Sequence, residues 1–229
     1  MGNIMHRSQI PAEKIEDDCY DWYARHERCR RLANAKSHDV VLIGDSITHF
    51  WKCDDAPRST GDDSFDALFG SLTALNLGYG YDRTQNVLYR LRNGEFANQQ
   101  PRFAVLHIGS NNLNGSPKLP PDPPLEVAAA IADIIVLIRE FSPATRVILM
   151  EVFPRGEGGD ALAERIRATN RLLRDRFAGD PAVIMVDLAP EFGTPTGGIK
   201  PELSDDFCHP NAAGYRIWAG KLQEIFNRT

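Results

Sequence analysis

The sequence lacks a long apolar run: no window approaches the roughly 18 apolar residues of a membrane span. Its opening, "MGNIMHRSQIPAEKIEDDCYDW", has no apolar core of a signal peptide, and His6 stands where a myristoylation motif needs Ser or Thr. A cytoplasmic location is the expectation. It also lacks an excess of positive charge. The formal net charge is -5, which leaves no electrostatic footprint for a nucleic-acid partner. The densest basic stretch, "RHERCRR" from Arg25 to Arg31, reads as the solvated face of a helix. Cysteine is sparse. Cys19, Cys29, Cys53 and Cys208 form no CxxC pair and no metal-ligand spacing, so we expect reduced thiols, no metal and no cofactor. No GxGxxG follows the first strand candidate, which argues against a dinucleotide site.

What is present is enough for one α/β domain. The 229 residues are 42% hydrophobic and 25% charged, the composition of a globular chain with a substantial core. Residues 1–37 read as an N-terminal arm and helix packed on a single domain that spans 38–229. Five short apolar runs recur at 39–44, 72–78, 103–109, 146–152 and 182–188. Near-continuous apolar strands of this kind belong to a parallel sheet covered on both faces. Helical periodicity fills the gaps. It places Ile131, Ile134, Ile135 and Ile138 on one stripe of 123–141, capped by Asp122 with Pro123 at the first position. It recurs over 160–177, and again from Pro210 onward through Tyr215, Trp218, Leu222 and Ile225. Alternation of strand and helix predicts a three-layer α/β/α sandwich, with the Pro- and Gly-rich stretches 114–124 and 155–160 as loops.

In open parallel sheets ligands bind beyond the carboxyl ends of the strands. Those ends carry Gly44-Asp45-Ser46, then Asn76-Leu77-Gly78-Tyr79-Gly80, then Gly109-Ser110-Asn111-Asn112, then Phe153-Pro154-Arg155-Gly156. A serine hydroxyl becomes a useful nucleophile only when a base removes its proton and a carboxylate orients that base. His6 and His26 lie in the N-terminal arm or helix, His38 precedes the first strand, and His107 lies inside a strand. His49 follows Ser46 on the emerging helix, where it either lines a pocket or faces solvent. His209, in "LSDDFCHPNAAGY", is held outside a helix by Pro210, a loop position from which an imidazole can reach the sheet edge. Asp206, three residues earlier, is placed to meet its Nδ1, with Asp205 the competing carboxylate. Candidate donors to a developing oxyanion are the Ser46 N–H, the Gly78 N–H and the Asn111 amide. Asp45 reads as a turn-shaping residue rather than a base.

These blocks resemble the SGNH (GDSL-type) hydrolase family, whose Ser, Gly, Asn and His occur in this order. Here they read "IGDSIT" with Ser46, "NLGYG" with Gly78, "IGSNN" with Asn111 and "DFCH" with Asp206 and His209. The stretches "NLGYGYDRTQNVLYRLRNGEF", "HIGSNN" and "FPRGE" are most similar to the catalytic subunits of intracellular platelet-activating-factor acetylhydrolase and their bacterial relatives. The resemblance implies a flavodoxin-like sheet of five parallel strands. It also implies a Ser46-His209-Asp206 triad without metal, an oxyanion hole from Ser46, Gly78 and Asn111, and a homodimer as a raised expectation. Where many members carry Asp in the third block this chain has Asn112, as the acetylhydrolase subgroup does. Acetyl-selective members narrow the acyl pocket at the positions of Ile47 and Cys208, and Cys208 is smaller than the leucine expected there, which argues against strict acetyl selectivity.

The reading is therefore a serine esterase acting on short acyl, chiefly acetyl, esters. Asp45, Ile47, Ser110, Arg155 and Cys208 are candidate pocket residues. Arg83, Phe50, Trp51, Tyr79 and Tyr81 are further groups able to grip a sugar or a polar head group. A carbohydrate O-acetyl esterase with the same triad is the alternative, and a non-catalytic binding module a less favoured one.

Overall fold

The computed structural model describes residues 5–52, 54 and 58–228; Cys53, read above as a reduced thiol, lies outside them. Five strands form one parallel sheet: β1 (Val40–Gly44), β2 (Ala74–Gly78), β3 (Phe103–His107), β4 (Arg146–Met150) and β5 (Val183–Val186), in the order β2-β1-β3-β4-β5. The strand count, direction and fold class are those predicted; β1 and β2 start a residue or two inside their apolar runs, and β3, β4 and β5 end two residues short of theirs, where the chain turns.

The helices, in chain order, are α1 (Trp22–Ala35), α2 (Ser46–His49), α3 (Asp62–Phe69), α4 (Thr84–Arg90), α5 (Ser110–Asn114), α6 (Pro124–Phe141), α7 (Ala161–Phe177), α8 (Ala189–Phe192) and α9 (Ala212–Arg228). Strand side chains alternate between the two faces of the sheet. Val41, Ile43, Leu75, Leu77, Ala104 and Leu106 pack with α1, α4, α6 and α7 in one apolar cluster. Val40, Leu42, Phe103, Val105 and Ile148 pack with α3 and α9 in the other, around Trp51, Tyr215 and Trp218. Both faces are thus covered, and the three layers follow.

Three local expectations need correction. Asp122 does not cap α6: Pro123 holds that place and Pro124 starts the helix. The Asp122 carboxylate is fully buried and accepts instead from Arg7 Nε (2.8 Å) and Asn112 Nδ2 (2.9 Å), stronger partners for a buried charge than a helix end. Helix α9 starts at Ala212 rather than Pro210, because Asn211 Oδ1 accepts from the Ala213 and Gly214 N–H groups at 3.0 and 3.2 Å. The basic stretch of α1 is not wholly solvated. Arg25 is buried, with its Nε donating to the Gly78 carbonyl at 2.9 Å and its guanidinium over the Tyr79 ring.

The N-terminal arm, residues 5–21, is stitched to the domain. Ala12 N–H donates to the Gln85 carbonyl (3.1 Å), Thr84 Oγ1 to the Ser8 carbonyl (2.8 Å), and Gln9 Nε2 to Asp133 (2.6 Å). Buried Arg83 meets Glu16 of the arm at 3.2 Å and Asp122 at 3.9 Å. Among the described residues no helix is long and apolar enough to cross a membrane.

Candidate active site

Strand β1 ends at Gly44, where a Cβ would lie 2.2 Å from Thr48 Oγ1 and 2.4 Å from the His107 carbonyl, so only glycine lets the chain turn this tightly into α2. Asp45 caps that helix, its carboxylate accepting from Ile47 N–H at 3.0 Å. The turn leaves Ser46 at the first helical position, 8% exposed, with its Oγ 2.8 Å from His209 Nε2.

The histidine is placed by a second tight turn, in "DFCH". Asp206 Oδ1 accepts from the backbone N–H of Cys208 (3.0 Å) and of His209 (2.8 Å), with Phe207 between them in the left-handed region at φ 55°. Asp206 Oδ2 then stands 2.8 Å from His209 Nδ1. A carboxylate accepts, so Nδ1 carries the proton and Nε2 is left to accept from Ser46. The structure brings Ser46, His209 and Asp206 together in one hydrogen-bonded line. Asp205 stays outside it, exposed and 3.5 Å from Asn211 Nδ2.

The electrostatics suit that line. Asp206 is held well below the usual carboxylate range although partial burial opposes this, because it accepts from the His209 N–H, from Arg58 and from the His209 ring. Burial pushes the His209 imidazole below its ordinary value; Asp206 opposes this, while Arg58 and Arg155 add to it. His209 is therefore unprotonated near neutral pH. Cys208 Sγ lies 3.9 Å from His209 Nε2, and burial holds its thiol up at about 11. It remains a neutral wall.

Ser46, His209 and Asn111 open onto a cavity of about 320 Å³, walled also by Phe50, Arg155 and Cys208. Its rim includes Arg58, Tyr81 and, from the N-terminal arm, Asp18 and Cys19. Asn111 Nδ2 donates to the Asp82 carbonyl at 3.0 Å and Oδ1 accepts from Arg155 Nη1 at 3.2 Å, which fixes the amide with its second N–H unspent.

Gly78 is not placed as the sequence suggested. Its N–H donates to Asn76 Oδ1 at 2.8 Å, and it does not line the cavity. Its missing side chain serves packing instead, since a Cβ would sit 2.3 Å from His49 N of α2. The residue of this loop that lines the cavity is Tyr81, a non-glycine residue at φ 59° whose N–H has no acceptor among the described residues. Nothing in the sequence marks a tyrosine for a left-handed turn.

Several pocket candidates lie behind the cavity wall. Asp45 is 1% exposed and burial raises its carboxyl to about 7; Ile47 packs in the core; Ser110 is buried, its Oγ accepting from Arg155 Nη1 at 3.0 Å. Trp51 and Tyr79 are core residues, and Arg83 is buried with its Nη2 on Glu16, Ser116 and the Leu119 carbonyl. Phe50, Tyr81, Arg155 and Cys208 do line the cavity. His49 neither lines it nor meets solvent: it is buried, and its Nδ1 accepts from Gly80 N–H at 3.2 Å. His107 is a core histidine, driven by burial to about 3 and so neutral. Sequence reading missed Arg58, which pairs with Asp206 across 148 residues of chain, a contact with no local signal.

The profile of the GDSL-like Lipase/Acylhydrolase family matches residues 42–217. Among curated relatives, the platelet-activating factor acetylhydrolase IB subunit alpha1 of Bos taurus is 32% identical over 218 residues, 95% of this chain and 87% of that protein. Solved structures with this fold include a GDSL-like lipase from Bacteroides thetaiotaomicron (TM-score 0.67, 17% identity, 90% of this chain and 98% of the other). Another is an acetylxylan esterase from Geobacillus stearothermophilus (TM-score 0.65, 20% identity, 82% of this chain and 94% of the other).

Proposed function

The chain belongs to the GDSL-like lipase/acylhydrolase family and is an ester hydrolase, and from that premise we propose that it cleaves short acyl esters, chiefly acetyl esters, through an acyl-Ser46 intermediate. The observation that carries this reading is the unbroken line from Ser46 Oγ through His209 to Asp206, at 2.8 Å per step, facing a small cavity.

Ser46 Oγ attacks the ester carbonyl carbon while its proton passes to His209 Nε2. Asp206 stabilises the imidazolium so formed. Negative charge grows on the carbonyl oxygen, and it is received by the Ser46 N–H, the Tyr81 N–H and the second Asn111 N–H. The bond to the alcohol then breaks, and the alcohol leaves with the proton from His209. Water, deprotonated by the same imidazole, attacks the acyl-serine; its collapse releases the carboxylic acid and returns the proton to Ser46. Phe50 and Cys208 bound the space for the acyl group, which favours short chains over long ones.

A carbohydrate O-acetyl esterase is the second reading. It is favoured by the half-exposed Tyr81 ring and by Arg155, both at the cavity beside the nucleophile, since an aromatic face and a multiple donor suit a sugar. Hydrolysis of p-nitrophenyl acetate, butyrate and octanoate beside acetylated sugars separates the two. Wild type is expected to prefer acetate or butyrate, and Ser46→Ala to lose about 10³-fold or more in turnover. A Ser46→Ala protein within tenfold of wild type would sink the mechanism.

A further inference from the structure

The Gly80–Tyr81 link is gripped from the N-terminal arm. Gly80 N–H donates to His49 Nδ1, and the Gly80 carbonyl accepts from the Tyr20 hydroxyl, each at 3.2 Å. A Cβ at Gly80 would lie 2.0 Å from Asp18 Oδ2 and 3.0 Å from Tyr20 Cε1, so the arm rests directly on this loop. The Tyr20 ring is itself braced, edge-on to the buried His49 ring at 5.1 Å between centroids.

The Gly80 carbonyl and the Tyr81 N–H belong to one peptide unit. A trans peptide is planar, with these two groups pointing in opposite directions, so a partner that fixes the carbonyl also fixes the N–H. A hydrogen bond to the carbonyl further polarises the amide and makes its N–H a better donor. Tyr81 needs such help, because a non-glycine residue at φ 59° sits in a region it enters at a cost.

We propose that Tyr20 is a positioning residue for ester hydrolysis, its hydroxyl holding the Gly80–Tyr81 peptide plane so that the Tyr81 N–H faces the developing oxyanion. The proposal rests on the reading of Ser46 as nucleophile. It makes the arm a working part of the site, although the family profile begins only at residue 42.

The test is Tyr20→Phe, which removes one oxygen and keeps the ring against His49. On p-nitrophenyl acetate its kcat is expected to fall about five- to twentyfold with KM within about twofold, a loosened rather than a deleted donor. The specific readout is the thionoacetate, whose sulfur accepts hydrogen bonds poorly: its turnover is expected to fall by less than about threefold. Equal losses on the two esters would reveal general disorder of the site and overturn the proposal, as would a kcat within twofold of wild type. Should Tyr20→Phe fail to fold, 3-fluorotyrosine at position 20 keeps the ring and strengthens the donor; it is expected to raise the ratio of oxo- to thionoester turnover, and an unchanged ratio overturns the role. Ser46→Ala run alongside separates the two failures. If it stays active, the nucleophile reading falls and takes this proposal with it; if it is inactive while Tyr20→Phe is undiminished, only the role of Tyr20 falls.

Discussion

The proposed mechanism requires His209 to be unprotonated near neutral pH, and its neighbours pull on it in opposite directions. Burial is the largest influence and favours the neutral ring, Asp206 favours the cation, and Arg58 and Arg155 again favour the neutral ring. The sign follows: kcat/KM should be lost as pH falls through a single midpoint below the ordinary 6.5, and be flat above it. Arg58→Met removes one cation that lowers this midpoint and leaves the Asp206 charge less compensated, so the midpoint should move up. A pH profile of kcat/KM between about pH 5 and pH 8 checks both statements. A variant midpoint at or below that of wild type would mean that Arg58 does not act on the pair. At this scale the sequence disclosed whatever a local pattern encodes. Ser46 follows a strand and a turn, and Asp206 and His209 lie within one turn of each other. Gly78 departs from the expectation because a glycine suggests open approach to a ligand, whereas here the absent side chain admits the backbone of α2. The Tyr81 amide has no signal in the sequence, because the residues that contact the neighbouring Gly80, Asp18 and Tyr20, lie some sixty positions away in the chain.

Elements were more legible than contacts, since apolar period and length decide them. The five strands and the helices α6, α7 and α9 lie where periodicity put them, but their starts depend on which polar group wins a competition. Asp122 was drawn away from α6 by Arg7 and Asn112, and Pro210 yielded the start of α9 to Asn211. That last cap matters for the site, because Asn211 follows His209 by two residues and its Nδ2 also donates to the Glu202 carbonyl at 3.1 Å. Asn211→Ala should cost about 1–2 kcal/mol of unfolding free energy in urea. It should also lower esterase turnover, by loosening the turn that presents the imidazole. A loss below about 0.3 kcal/mol would show that the helix start is held by packing alone.

At the scale of the whole molecule, a few buried charges tie the arm to the loops at the strand ends. Arg83, 1% exposed, relies on Glu16 and on Asp122, whose own side chain is 0% exposed and also binds Arg7 of the arm. Removing Asp122 leaves buried Arg83 with Glu16 alone and takes the acceptor from Arg7 and Asn112. Asp122→Ala is therefore expected to destabilise the protein by about 3 kcal/mol and to speed tryptic cleavage at Lys14 as the arm lifts. An unchanged melting midpoint and cleavage pattern would assign the arm's attachment to its backbone hydrogen bonds instead. None of these ties could be read from sequence, because each joins residues far apart in the chain.

The hydrogen bond between Ser46 and His209 spans 163 residues. On the ribosome Ser46 and the whole sheet are made before His209, the base of the proposed mechanism. A nascent chain that has folded through β5 therefore carries an inert hydroxyl. On the proposed mechanism, hydrolytic power arrives in one step, when the turn before α9 docks and brings the His209 imidazole to Ser46.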